Sequence, residues 1–190
     1  MDKDSRIIDG SEVPFSCHGD ASMEKKKNLK HRLKVFRKFV PFDFSNCHSL
    51  DIGASNTFGK VLGIKDNTFD HDLNKVLKAP SKDYDFIVCS DIIEHFFNPG
   101  LTMEKIYDLL KPGGYCLLGT PRAYWCIPYE CWYHFTEYKP KCLKQMFEYY
   151  GFKIVKFRTY SIWDWSFMFW GIRPFLRVLF HRNQLWLLKK

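Results

Sequence analysis

The sequence predicts an α/β fold built around an open, mostly parallel sheet, and three stretches carry that prediction. His48 to Gly59, reading His-Ser-Leu-Asp-Ile-Gly-Ala-Ser-Asn-Thr-Phe-Gly, is a short apolar strand that ends in an acid-x-glycine turn. An open α/β sheet presents a ligand pocket in this way at the carboxyl end of its first strand. Tyr84 to Ser90 is continuously apolar from Phe86 to Cys89, the pattern of a parallel strand covered on both faces. Between it and a third strand candidate, Tyr115 to Gly119, apolar residues at helical spacing fill Leu101 to Leu110, which gives a strand, helix, strand order.

Taken from the N-terminus, residues 1–20 are polar, contain Gly10, Pro14 and Gly19, and show no periodicity, so a mobile arm is expected there. Residues 21–190 then form one domain. Within residues 21–40, Leu29, Leu33, Phe36 and Val40 recur at three- and four-residue spacing among Lys25, Lys26, Lys27, Lys30, Lys34, Arg37 and Lys38. This is a basic amphipathic helix from Ser22 to Phe39, stopped by Pro41. It reads first as a cap that closes the pocket and second as a contact for phosphate or lipid headgroups, since charge runs on helices are mostly solvated faces.

In the first strand Leu50 and Ile52 point into the core, Asp51 reaches the end of the strand, and Gly53 lets the backbone approach a ligand. Only nine residues separate Gly59 from Phe69, so the following helix shrinks to a turn or two around Val61 and Leu62, with a short strand within Gly63 to Thr68. The cluster Phe69-Asp70-His71-Asp72-Leu73-Asn74 comes next. Asp66, Asp70 and Asp72 are each candidates to accept hydrogen bonds from the vicinal hydroxyls of a ribose.

The Tyr84 strand delivers Asp91-Ile92-Ile93-Glu94-His95 at its carboxyl end, and Pro99-Gly100 breaks the chain. The Leu101 helix turns Met103, Ile106, Leu109 and Leu110 inward, and Lys111-Pro112-Gly113-Gly114 is a tight turn into the strand that ends at Thr120-Pro121. An aromatic loop, Tyr124 to Phe135, precedes a helix from Lys141 to Tyr150 closed by Gly151, and Phe152 to Tyr160 is a strand.

At 190 residues with 46% hydrophobic and 18% aromatic content, the chain supports one packed core. Met1 to Gly10 carries both charge signs and no apolar run, which is no secretory signal. The seven cysteines include no Cys-x-x-Cys pair, and Cys89 and Cys116 fall in apolar strands; reduced core thiols in a cytoplasmic protein are expected, and a structural zinc site is not. The net charge of +8 is unevenly spread. Residues 41–138 hold 8 Lys and Arg against 13 Asp and Glu, whereas residues 21–40 hold 8 against 1 and residues 139–190 hold 11 against 2. An acidic middle favours a cationic cofactor, and basic flanks favour an anionic partner.

The glycine turn argues against one cofactor class. A dinucleotide site wants Gly-x-Gly-x-x-Gly, and here Ser55 stands at the second glycine position. NAD and FAD are therefore disfavoured. A cofactor with an amino-acid moiety and an adenosine but no phosphates makes a weaker demand.

Five blocks in order, Leu-Asp-Ile-Gly, Tyr-Asp-Phe-Ile-Val-Cys-Ser-Asp-Ile-Ile-Glu-His, Leu-Leu-Lys-Pro-Gly-Gly-Tyr, Leu-Gly-Thr-Pro and Gly-Phe-Lys-Ile-Val, together resemble a class I S-adenosylmethionine-dependent methyltransferase over residues 48–160. The resemblance implies a Rossmann-like sheet of seven mostly parallel strands with helices on both faces, its antiparallel last strand being Asn183 to Lys189. It also implies that Asp51, Gly53, Ala54 and Ser55 face the methionine end of the cofactor, that Asp70 or Asp72, with Leu73, faces the adenosine, and that Ser90 and Asp91 lie beneath the sulfonium. His95 and His134 are the candidate bases. Asp91, Glu94, His95 and His134 further resemble the divalent-metal site of two methyltransferase groups, the ubiquinone-pathway O-methyltransferases and the enzymes acting on the terminal 2′-hydroxyl of small RNAs; the ligand types suit magnesium or manganese.

The aromatic-rich segment 161–182 carries Trp163, Trp165, Phe167, Phe169, Trp170, Phe175 and Phe180, with charges that argue against a membrane span. Three roles are expected for it in order: core packing, an aromatic lid over an apolar acceptor, and a peripheral membrane contact. The functional expectation is O-methylation of a small-molecule, lipid-linked or glycan-linked acceptor, ahead of RNA methylation and of a non-catalytic binding role.

Overall fold

The computed structural model describes residues 5–8, 11–14, 22–53, 62–68, 79–123, 134–180 and 182–190. The segment expected as an arm contains a two-stranded antiparallel ladder, β1 (Ser5–Ile8) against β2 (Ser11–Pro14). The two residues between the strands in sequence are Asp9 and Gly10, a dipeptide favoured in two-residue hairpin connections.

The main sheet comprises β3 (Ser49–Ile52), β4 (Asp66–Asn67), β5 (Tyr84–Ser90), β6 (Leu110–Pro121), β7 (Lys153–Ser161) and β8 (Arg182–Lys189). Their spatial order is β4-β3-β5-β6-β8-β7. The first four are mutually parallel, and β8 runs antiparallel to both β6 and β7. Among the described residues the sheet therefore has six strands where seven were expected. β4, at the edge of the sheet, is only two residues long, and residues 69–78, which follow it closely, lie outside the described residues.

Helices cover both faces, and the period of two along each strand sorts the core accordingly. Helix α1 (Ser22–Phe39) brings Phe36 and Phe39, with Val40 after it, onto Phe86, Val88, Leu117, Leu185 and Leu187. On the opposite face α2 (Pro99–Leu109) and α3 (Pro140–Tyr149) bury Met103, Ile106, Leu143 and Phe147 against Ile87, Cys89, Leu118, Trp186 and Leu188. Cys89 and Cys116 are free, buried thiols, and burial pushes both up, Cys116 to about 12.

Three sequence expectations shift here. Pro99 starts α2 instead of breaking the chain, because proline suits the first helical position and Asn98 Oδ1 caps it by accepting from the Leu101 amide at 3.3 Å. The Lys111 to Gly114 turn is carried inside β6 as an irregularity, the pairing passing from Tyr84↔Leu110 to Phe86↔Tyr115. The aromatic segment is not mainly core. It forms a 3-10 turn (Trp165–Phe169) and α4 (Ile172–Phe180), in which Phe167 and Val178 are buried while Trp165, Phe169, Trp170 and Ile172 stand exposed.

Candidate active site

The carboxyl ends of β3, β5 and β6 form an acidic rim. Asp51 is the buried acid of β3, only 3% exposed, and burial raises its carboxyl to about 7. Gly53 follows it at φ +118°, and its amide donates to Thr68 Oγ1 at 2.8 Å, which ties β3 to the residue after β4. A Cβ on Gly53 would come within 2.6 Å of Ile92 Cδ1. Gly53→Ala is expected to destabilise the protein by about 1–3 kcal/mol, from backbone strain at that φ together with the displaced Ile92. A denaturant titration reads this as a lowered midpoint with an unchanged slope.

β5 ends at Ser90, and Asp91 turns the chain at φ +55°, its amide donating to Gly119 O at 2.8 Å. The Asp91 carboxylate is fully engaged. Arg32 of α1 pairs with Oδ2, Asn183 Nδ2 donates to Oδ1 at 2.8 Å, and Ser90 Oγ donates to Oδ2 at 3.2 Å. Arg32 also donates to Ser90 Oγ at 3.2 Å. Burial opposes the guanidinium charge most strongly of any single influence, but Asp91 and Tyr160 together outweigh it and raise the Arg32 pKa. Tyr160 packs beside this pair, its phenol pushed up to about 12 by burial.

The next cluster lies one turn on, where a 3-10 turn (Ile93–His95) buries Glu94 to 1% exposure. Glu94 Oε2 accepts from Thr120 Oγ1 at 2.8 Å, while Oε1 has no hydrogen-bond partner among the described residues. Burial, and after it the Asp91 charge, raises the Glu94 pKa. The Phe135 amide donates to Glu94 O at 2.9 Å, which draws the next loop back to the turn. His95 and His134 then meet edge to face with centroids 5.0 Å apart, and His134 Nδ1 lies 3.3 Å from Glu137 Oε1. Ligand atoms of Glu94, His95 and His134 all fall within 4.8 Å of one another.

The structure thus brings Glu94, His95 and His134 together and leaves Asp91 out, because Arg32 and Asn183 hold its carboxylate elsewhere. The four-residue metal set loses Asp91 for that reason. Ala54, Ser55, Asp70, Asp72 and Leu73 lie outside the described residues, as does most of the aromatic loop. Arg32, Thr120 and Asn183 belong to the rim but were not singled out from sequence. For Arg32 a signal existed: Leu29, Arg32, Leu33 and Phe36 share one helical face, which places this cation of the basic helix on its apolar side.

The comparisons with known proteins give this rim a context. A methyltransferase domain family profile matches residues 27–156. A structure of an S-adenosylmethionine-dependent methyltransferase from Mesorhizobium loti superposes with a TM-score of 0.64 at 12% identity, covering 85% of this chain and 100% of that one. The 1,6-didemethyltoxoflavin-N1-methyltransferase of Burkholderia thailandensis, with bound 1,6-didemethyltoxoflavin and S-adenosylhomocysteine, covers 98% of this chain and 99% of its own at TM-score 0.56 and 12% identity. The [4+2]-cyclase SpnF superposes at 0.60 with 11% identity, covering 91% and 84%. No curated protein matches in sequence.

At such identities the superpositions carry the fold alone, and SpnF is a reminder that a fold hosts more than one reaction. The fold is that of the class I S-adenosylmethionine-dependent methyltransferases. The family match spans well over half the sequence, and the chain belongs to the methyltransferase domain family as an enzyme of that class.

Proposed function

We propose that this enzyme moves the methyl group of S-adenosylmethionine onto a hydroxyl of a small-molecule, lipid-linked or glycan-linked acceptor in the cytoplasm. The observation that carries the acceptor chemistry is the His95–His134 pair beside buried Glu94, two imidazoles at the rim able to accept a hydroxyl proton. The residues present fit a sulfonium cofactor, since a cation near Asp51 restores the charge that burial suppresses. When bound, the cofactor supplies an electrophilic methyl on sulfur. The chain's own part would be alignment and water exclusion: Asp51 and Gly53, with Ala54 and Ser55, would hold the methionine end, Asp70 or Asp72, with Leu73, the adenosine, and Ser90 the floor. α1 covers that floor so closely that a Cβ added at Gly119 would lie 3.5 Å from the Phe36 ring and 3.3 Å from Ser90 Oγ.

The test is transfer of labelled methyl from the cofactor into separated small-molecule, lipid, glycan and RNA pools. Label in an ether linkage of the first three supports the reading; label confined to RNA transfers the assignment to a terminal 2′-hydroxyl.

A divalent ion is a second element of that RNA reading, and one observation favours it. Glu94 Oε1 is a buried carboxylate oxygen lacking a hydrogen bond among the described residues, grouped with two imidazoles, one of them oriented by Glu137. Glu94, His95 and His134 fit magnesium or manganese, which would orient an acceptor hydroxyl. Manganese titrated into the purified protein is expected to bind, and Glu94→Gln to weaken it roughly 10–100-fold. If the wild type takes up no manganese, the imidazoles act alone.

A further inference from the structure

The last quarter of the chain presents an exposed apolar surface away from the rim. Phe169 is 90% exposed, Ile172 81%, Trp170 65% and Trp165 58%. Along α4 the pattern continues in register: Ile172, Phe175, Leu176 and Phe180 are all exposed and stand at i, i+3, i+4 and i+8, one stripe of a helix. Val178, off that stripe, is buried, and Phe167 anchors the preceding turn in the core. This apolar stripe of α4 faces outward, and a protein rarely exposes so many large apolar side chains together unless the patch is an interaction site.

A second observation says what the partner is. The exposed residues of α1 include Lys30, Lys34, Arg37 and Lys38, again at i, i+4, i+7 and i+8. This cationic stripe is fixed to the base of the aromatic segment. His31 Nε2 lies 3.0 Å from Ser161 O, and its Nδ1 is 3.9 Å from the carboxylate of Asp164, which caps the 3-10 turn. Lys156 on β7, the strand α4 packs on, donates to Phe39 O at 3.1 Å. Apolar stripe and cationic stripe belong to elements locked to one another.

We propose that the 3-10 turn and α4 form an interfacial anchor that seats the enzyme on an anionic phospholipid surface, with the exposed cations of α1 drawn to the headgroups. Indole and phenyl rings suit the boundary between headgroup and acyl chain, and buried apolar area plus attraction to anionic lipid sets the strength of such contacts. Nucleic acid fits less well, because Ile172 and Leu176 have no ring on which a base can stack. A transmembrane anchor is not in question, since no helix among the described residues is long and apolar enough to cross a membrane. The proposal goes beyond the methyl-transfer reading and does not depend on it.

Vesicle co-sedimentation of the full chain tests it, using phosphatidylcholine vesicles with and without phosphatidylglycerol. The wild type is expected to sediment with the anionic vesicles, to remain in solution with pure phosphatidylcholine, and to be released by salt. Phe169→Ser, Ile172→Ser and Leu176→Ser combined, all at exposed positions, are expected to weaken partition at least about tenfold, with thermal melting unchanged. Lys30→Glu with Lys34→Glu and Lys38→Glu is expected to do the same for anionic vesicles. Absence of sedimentation, equal sedimentation with neutral lipid, or indifference to the triple serine variant overturns the proposal. So does a wild-type dimer that the serine variant dissolves, or single-stranded RNA binding without vesicle binding.

Discussion

Asp51→Asn is expected to make the protein more stable above neutral pH while weakening its hold on S-adenosylmethionine. The Asp51 carboxyl sits at about 7 in the folded protein against 3.8 for an ordinary aspartate, and burial is the cause. A raised pKa contributes stability that is complete below the unfolded value and is lost as pH rises through the folded one. The wild type should therefore lose roughly 4 kcal/mol between pH 4 and pH 7 from this group, and the Asn variant should not. A cationic cofactor reverses the balance by favouring the ionised form. Cofactor affinity of the wild type should then climb as pH rises towards 7, and the variant should bind roughly 10–100-fold more weakly with no such climb. Denaturation midpoints against pH, with and without cofactor, check both halves.

Arg32→Met is expected to destabilise the protein by about 2–4 kcal/mol, the second largest effect. The substitution keeps an apolar stem on the helical face that carries Leu29, Leu33 and Phe36 but leaves the Asp91 carboxylate in a part-buried site without its cation. Asp91 is also held at φ +55°, so its backbone depends on those partners. Arg32→Met combined with Asp91→Asn should recover much of the loss, because the unpaired charge is gone and Asn183 retains a side-chain partner. A double-mutant cycle in chemical denaturation measures the coupling. Near-zero coupling would mean that the pair is solvated and contributes little.

The sequence displayed the parts of this molecule whose reason is local. α1 is legible from the spacing of Leu29, Leu33, Phe36 and Val40, and the Tyr84 to Ser90 strand from its apolar stretch Phe86 to Cys89, because burial on one face or on two leaves its period in the residues. The rim was legible where it follows a strand end, as at Asp51, Ser90 and Asp91. What escaped depends on distant partners. The sequence places Asp91 beneath the sulfonium and among the metal ligands but does not show its partners, because its cation lies 59 residues upstream and Asn183 reaches it across 92. The outward stripe of α4 illustrates a different limit: periodicity says which side of a helix is apolar, but not whether that side faces the core. The compression after Gly59 removed the usual helix and strand signals together, which is why the seventh strand was expected from resemblance and not from the residues there.

Calorimetric titration of S-adenosylmethionine and S-adenosylhomocysteine into the full chain at several pH values addresses the central claim most directly. The account predicts saturable binding of both, in roughly the micromolar range, with the sulfonium form gaining more affinity than its neutral product as pH rises towards 7. No heat from either compound at millimolar concentration, in a protein that melts cooperatively, contradicts it.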